Sequence, residues 1–213
     1  MTGKAELIES MKKHHYIRTL PVEEAFQKVP REYFVLDEYK EGAYSDTPLP
    51  IPAGQTISAP SMIAIMLEVA ELKKGQKVLE IGAGSGYNAA LVGEIVGEEN
   101  IVAIERIPEL MEFATKNLDK AGYRIKVVGG DGTLGYKEAA PYDRIIVTAA
   151  APKISQYWVE QLKTGGKVIA PIGSKSSHQE LVVATKSPEG LVETKRHGGC
   201  VFVPLIGEEG WPG

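Results

Sequence analysis

The chain has 213 residues, 43% hydrophobic and 24% charged, with a net charge of −4 and one cysteine. A globule of this length buries roughly 70% of the surface its unfolded chain exposes, and with one cysteine and no Cys/His cluster at ligand spacing a disulfide scaffold and a structural zinc module are excluded. No window approaches the roughly 20 apolar residues of a membrane span, the charged opening MTGKAELIESMKKHHYIR lacks a signal-peptide core, and the acidic balance speaks against a dedicated nucleic-acid binder.

The chain reads as one domain, 1–213: an N-terminal helical and loop extension (1–60), a core (61–175), and C-terminal strands and tail (176–213). In chain order, Ala5–His14 and Val22–Val29 are expected helices, the second introduced by Pro21 in its first turn. Turn formers crowd Asp37–Ala59, which reads as one long loop tied down by Tyr44, Leu49, Ile51 and Ile57. From Pro60 to Leu72, Met62, Ile65, Met66 and Val69 recur at helical spacing.

Then strands and helices alternate. Strands are expected at Lys77–Ile81, Ile101–Glu105, Ile125–Val128, Arg144–Ala149 and Lys167–Pro171. Helices are expected at Tyr87–Val96, Pro108–Ala121 and Ser155–Leu162. Such alternation predicts an α/β, doubly wound, mostly parallel seven-stranded Rossmann-like sheet. Three further runs, Glu180–Thr185, Leu191–Lys195 and Cys200–Leu205, with turns at Ser187–Gly190 and His197–Gly199, should close it with antiparallel strands. Ligands of such sheets bind outside the carboxyl ends of the strands.

The first of these strands ends in Glu80-Ile81-Gly82-Ala83-Gly84-Ser85-Gly86. Glycines at a strand–helix turn let a ligand approach the backbone. A dinucleotide fingerprint needs its third glycine where Tyr87 stands, and no G-x-x-x-x-G-K-[ST] loop is present. The next strand is apolar until Glu105, placed to accept from ribose hydroxyls. After the third strand, Asp131 in Gly130-Asp131-Gly132 is either an Asp-Gly turn or an acceptor for an adenine amino group.

VLEIGAGSGYNAALV, VAIER, GDG, YDRIIVTAAAP and LKTGGKVIAPIG, spanning residues 77–172, together resemble the ordered motifs of class I S-adenosylmethionine-dependent methyltransferases. The resemblance implies the glycine loop along the methionine part of the cofactor, Glu105 on the ribose and Asp131 on the adenine.

The acceptor is narrowed by what is missing. Thr148-Ala149-Ala150-Ala151-Pro152 lacks the paired prolines and aromatic that serve base methylation. No acidic pair with a histidine suggests a general base or a metal; His14, His15, His178 and His197 read as solvated or turn residues. A carboxylate, with a pKa near 4, is nucleophilic without a base.

Lys28–Val35 (KVPREYFV), Gly54–Met62 (GQTISAPSM), the VTAAAP segment and Val201–Leu205 (VFVPL) resemble the protein-L-isoaspartate O-methyltransferase family over nearly the whole chain. That family transfers a methyl group from S-adenosylmethionine to the free α-carboxylate of isoaspartyl, and D-aspartyl, residues, releasing S-adenosylhomocysteine; the ester then collapses to a succinimide. Another class I methyltransferase with a different carboxylate or small acceptor is the alternative.

The resemblance implies Ser58 as the catalytic residue orienting the carboxylate, where local sequence alone suggests a helix cap. Thr56, Ser58, Ser61, Glu80, Gly82, Gly84, Gly86, Asn88, Glu105, Arg106, Asp131 and Gly132 are implied cofactor contacts, and Ile57, Val201, Phe202 and Val203 substrate contacts. Ser61 stands where the family often has histidine. No metal, membrane or nucleic-acid partner is implied, and a cytoplasmic monomer is expected. Three asparagines, Asn88, Asn100 and Asn117, in a Glu/Lys-rich chain also suggest heat stability.

Overall fold

The apolar strand runs of the second half form a central sheet in the computed structural model, which describes residues 3–190 and 192–213. Its strands are β3 (Val78–Ile81), β4 (Ile101–Glu105), β5 (Lys126–Gly129), β6 (Tyr142–Val147), β7 (Leu162–Gly173), β8 (Gln179–Lys186) and β9 (Val192–Cys200). Their order is β5-β4-β3-β6-β7-β8-β9. Strands β3 to β7 pair in parallel; β8 and β9 are antiparallel.

Side chains alternate across this sheet. Val78, Ile101, Ala103, Ile146, Ile169 and Val183 share one core with the helices α1 (Lys4–Lys13), α2 (Leu20–Lys28), α3 (Pro60–Ala70), α4 (Tyr87–Val96) and α5 (Pro108–Ala121). Leu79, Ile81, Val102, Ile104, Ile145 and Val147 form the other core with Trp158 of α6 (Gln156–Gln161). Two buried charges tie the first layer together. Glu68 of α3 accepts from the amides of Arg18 and Thr19 at 2.8 and 2.9 Å, anchoring the start of α2. Arg144 donates to the Ala70 carbonyl at 2.5 Å, closing the end of α3.

Three expectations are corrected. The run Asp37–Ala59 contains a hairpin, β1 (Leu49–Ile51) with β2 (Gln55–Ile57), because Ile51 and Ile57 are buried together as its ends pair. The expected turn at His197–Gly199 lies inside β9: Glu180 faces Gly199 and Val182 faces Arg196, so the strand carries one extra residue there and Gly198 takes φ 103°. Cys200–Leu205 adds no strand. The Gln179 side chain bonds both the amide (2.6 Å) and the carbonyl (3.1 Å) of Phe202, replacing a ladder with a side-chain clamp. The segment then turns inward, and Ala150 exchanges bonds with Val203 and Leu205 at 2.8 Å each. Of the expected strand Leu191–Lys195, Leu191 lies outside the described residues.

Candidate active site

Strand β3 lies where the winding reverses, with β4 on one side and β6 on the other. A cleft opens at the carboxyl ends of these strands, the position expected for a ligand. Its floor is the turn between β3 and α4. Gly82 has φ 93°, and a Cβ there would stand 2.6 Å from Thr148 Oγ1. The Thr148 hydroxyl lies 2.6 Å from the Gly82 carbonyl and 3.0 Å from that of Ile81, fastening the turn to the end of β6. Gly86 has φ 85°, and a Cβ there would lie 3.1 Å from the Ala114 carbonyl of α5. Gly86 therefore serves helix packing and does not line the cleft, whereas Gly82 and Gly84 do.

The acids differ in how far the protein satisfies them. Glu80 is fully buried and lines the cleft. Its Oε1 accepts from Asn88 Nδ2 at 2.9 Å, while Glu80 Oε2 and Asn88 Oδ1 have no partner among the described residues. Burial pushes the Glu80 carboxyl up to about 8; the bond from Asn88 opposes the rise and the charge of Glu105 adds to it. Glu105 instead accepts three amides, from Gly84 (3.0 Å), Arg106 (2.9 Å) and Ile107 (3.0 Å), which aim it along the cleft rim. Asp131 is engaged by its neighbours: Oδ1 accepts from the amide and hydroxyl of Thr133, and Oδ2 from the amide of Glu208. Gly132 lines the cleft but Asp131 does not.

The opposite wall comes from the front and tail segments. Thr56, Ile57 and Ser58 line it as the hairpin passes into α3, with Phe202 and Val203 beside them. Ser58 does not cap α3. Ala59 occupies the cap position without a side-chain bond, and Asp46 accepts the Ser61 amide at 2.9 Å from the preceding loop. Ser61 lies outside the lining, and so does Val201, which is 78% exposed. Phe202 has its backbone engaged by Gln179, and the Val203 carbonyl accepts from Ala150. Val201 makes no backbone bond among the described residues.

The fold thus brings Thr56, Ile57, Ser58, Glu80, Gly82, Gly84, Asn88, Glu105, Arg106, Gly132, Phe202 and Val203 to one cleft. Ser61, Gly86, Asp131 and Val201 stay outside it. Sequence reading placed Thr148 and Arg31 inside family motifs but gave neither a role: the Thr148 hydroxyl fastens the glycine turn, and Arg31 is fully buried and bonded to the Ser58 carbonyl. Among the described residues, no group of three or more His, Cys, Asp or Glu stands ready to hold a metal, and no helix is long and apolar enough to cross a membrane.

The family model for protein-L-isoaspartate(D-aspartate) O-methyltransferase matches residues 2–210. The protein-L-isoaspartate O-methyltransferase of Thermococcus onnurineus is 57% identical over 206 residues, covering 96% of this chain and 93% of that protein. That of Methanopyrus kandleri is 52% identical, covering 98% and 93%. Among solved structures, a protein-L-isoaspartate O-methyltransferase superposes with a TM-score of 0.87 at 32% identity, covering 97% of this chain and 67% of that one. A Plasmodium falciparum structure of this type, in complex with S-adenosylhomocysteine, gives 0.84 at 26% identity, covering 97% and 99%. With a family model matched over nearly its full length and relatives above half identity, this chain belongs to the protein-L-isoaspartate(D-aspartate) O-methyltransferase family.

Proposed function

We propose that the protein is a single-domain repair enzyme that methylates the free α-carboxylate of L-isoaspartyl, and D-aspartyl, residues of damaged proteins, using S-adenosylmethionine. The observation that carries this reading is the pairing of two walls across one cleft. One wall has two buried acceptor atoms without donors, Glu80 Oε2 and Asn88 Oδ1, beside a glycine turn. The other has an apolar residue and a hydroxyl, Ile57 and Ser58.

The residues present suit the cofactor. Buried acceptors without donors are costly, and an α-ammonium group supplies the missing N–H. Gly82 and Gly84 would leave room for the methionine chain, Glu105 and Arg106 would hold the ribose, and Thr56 and Gly132 would border the remaining space. Outside the lining, Asp131 acts through the turn that carries Gly132 to the cleft, Gly86 through the α4–α5 contact, and Ser61 through the start of α3. When bound, S-adenosylmethionine supplies an electrophilic methyl group, and the substrate carboxylate displaces S-adenosylhomocysteine to give a methyl ester.

The chain's own task is positioning. The attacking carboxylate is already ionised at neutral pH, so no general base is required. Ser58 orients it by donating a hydrogen bond, and Ile57 with Phe202 keeps water from its other face, where solvation would blunt the nucleophile. Reacting atoms held about 3–3.5 Å apart and in line supply most of the acceleration. Val201, with an unused amide and carbonyl, pairs with the extended substrate backbone as Val203 flanks it. We read the enzyme as a cytoplasmic monomer acting without metal or nucleic acid.

The test uses cofactor with a labelled methyl group and two peptides that differ only in an isoaspartyl or aspartyl linkage. Label should enter the isoaspartyl peptide alone; equal or absent labelling overturns the proposal.

A further inference from the structure

The sequence KVPREYFV places an arginine in a surface-like context, yet Arg31 has no exposed area at all. Its Nε donates to the Ala43 carbonyl at 2.8 Å and its Nη2 to the Ser58 carbonyl at 3.0 Å. The guanidinium carbon lies 5.0 Å from the centre of the Tyr87 ring, which Phe34 braces at 5.5 Å. Nη1 is buried and has no partner. Asp46, an acid whose charge reaches Arg31, already accepts the Ser61 amide. A buried cation without an ion-pair partner is expensive for a fold to keep, and a helix–loop junction alone does not call for one.

The connections of this side chain explain it. Tyr87 is the first residue of α4, directly after the glycine turn, and lines the cleft; Ser58 lines the cleft from the facing wall. Ala43 belongs to the loop that leads into the hairpin. Arg31 touches all three. Its planar fork reaches two carbonyls while its cationic carbon lies over a ring, a combination that a lysine ammonium cannot reproduce.

We propose that Arg31 is a positioning residue for methyl transfer, holding Ser58 in register with the cofactor wall through its carbonyl bonds and its contact with the Tyr87 ring. The proposal rests on the reading of Ser58 as the group that orients the substrate carboxylate. Arg31 acts on the reaction only through Ser58, because the bond to the Ser58 carbonyl fixes where the neighbouring hydroxyl is carried.

The test compares the parent protein, Arg31→Lys, Ser58→Ala and the double variant with an isoaspartyl peptide, alongside S-adenosylhomocysteine affinity by calorimetry and a melting curve. Arg31→Lys should lower kcat by about tenfold to a hundredfold, the scale of loss when reacting groups are misplaced by about an ångström. Its affinity for S-adenosylhomocysteine should change by less than about threefold. Because both residues act through one hydroxyl, the double variant should be no more than about twofold slower than Ser58→Ala. Retained kcat in Arg31→Lys, or losses that multiply in the double variant, would overturn the proposal. If Ser58→Ala itself keeps full kcat, the reading of Ser58 fails and takes this proposal with it; a slow Ser58→Ala beside an unaffected Arg31→Lys sinks the Arg31 role alone. Should Arg31→Lys not fold, Arg31→Gln, which keeps one donor group and no charge, is judged by the same criteria.

Discussion

Glu80 should make cofactor binding a proton-release reaction. Its carboxyl is fully buried, shares one oxygen with Asn88 and keeps the other without a donor, and burial pushes it up to about 8 from an ordinary value of 4.5. At pH 7 the free protein therefore holds this proton in about nine molecules of ten. An ammonium group arriving at Oε2 favours the ionised form and expels it. S-adenosylhomocysteine binding at pH 7 should release about 0.9 proton, and affinity should rise close to tenfold from pH 6 to pH 7, flattening above pH 8. Calorimetry in buffers of different ionisation enthalpy counts the proton directly. Glu80→Gln should remove both the release and the slope, and at pH 8 should bind roughly tenfold to a hundredfold more weakly, the loss of one charge-assisted bond of about 1.5–3 kcal/mol. Stability of the free protein carries the opposite sign. Between about pH 4.5 and 8 the unfolded chain has released a proton that the folded chain retains, so this group lowers stability as pH rises, by up to about 1.4 kcal/mol per pH unit. No proton release together with an unchanged Glu80→Gln affinity would refute the argument.

Gly82→Ala places a methyl group 2.6 Å from Thr148 Oγ1 at φ 93°; it should cost about 1–3 kcal/mol of stability and weaken S-adenosylhomocysteine binding, and a variant with the parental melting curve and affinity would contradict the tight turn. Val201→Pro deletes an amide that has no internal partner. It should raise KM for an isoaspartyl peptide about threefold to tenfold, the worth of one backbone bond, with cofactor affinity intact; an unaltered KM would remove Val201 from the substrate path. The whole protein should melt well above the range of about 45–65 °C common to mesophile domains, in keeping with its Glu/Lys-rich, asparagine-poor composition and its relatives in Thermococcus and Methanopyrus; a scanning-calorimetry midpoint within that range would count against it.

The elements that border the cleft were the most legible because their signals are local. Helix α4 runs from Tyr87 to Val96 as its flanking Gly86 and Gly97 announce, and β4 ends on Glu105 as its apolar run announces. What sequence could not show depends on contacts between distant segments. The hairpin β1–β2 has strands of three residues interrupted by Pro50, too short for any period to register, and it exists because Ile51 and Ile57 share a core with α3 and α4. Gly198-Gly199 has the composition of a turn and serves as a bulge, since only the pairing with β8 decides which. Phe202 alternates like a strand residue, but a single buried amide, Gln179, takes its backbone out of the ladder and leaves Val201 free.

The same distinction separates the residues of the cleft. Those on β3, β4 and the glycine turn answer to motifs, because a ligand that approaches backbone constrains residue type at fixed spacing. Ser58 was ambiguous for a physical reason: a serine two residues before a helix that starts on proline satisfies the cap pattern equally well. The ambiguity disappears once Asp46, fifteen residues before Ser61, is seen to accept the amide that a cap would have taken. That frees the Ser58 side chain for the cleft and assigns its carbonyl to Arg31. An arginine with two carbonyl partners, an aromatic face and an unused nitrogen has no sequence signature, since none of its partners lies within ten residues of it. In this protein the glycine-turn side of the cleft is written locally, whereas Ser58 is tied to distant segments by a buried charge that only the closed fold reveals.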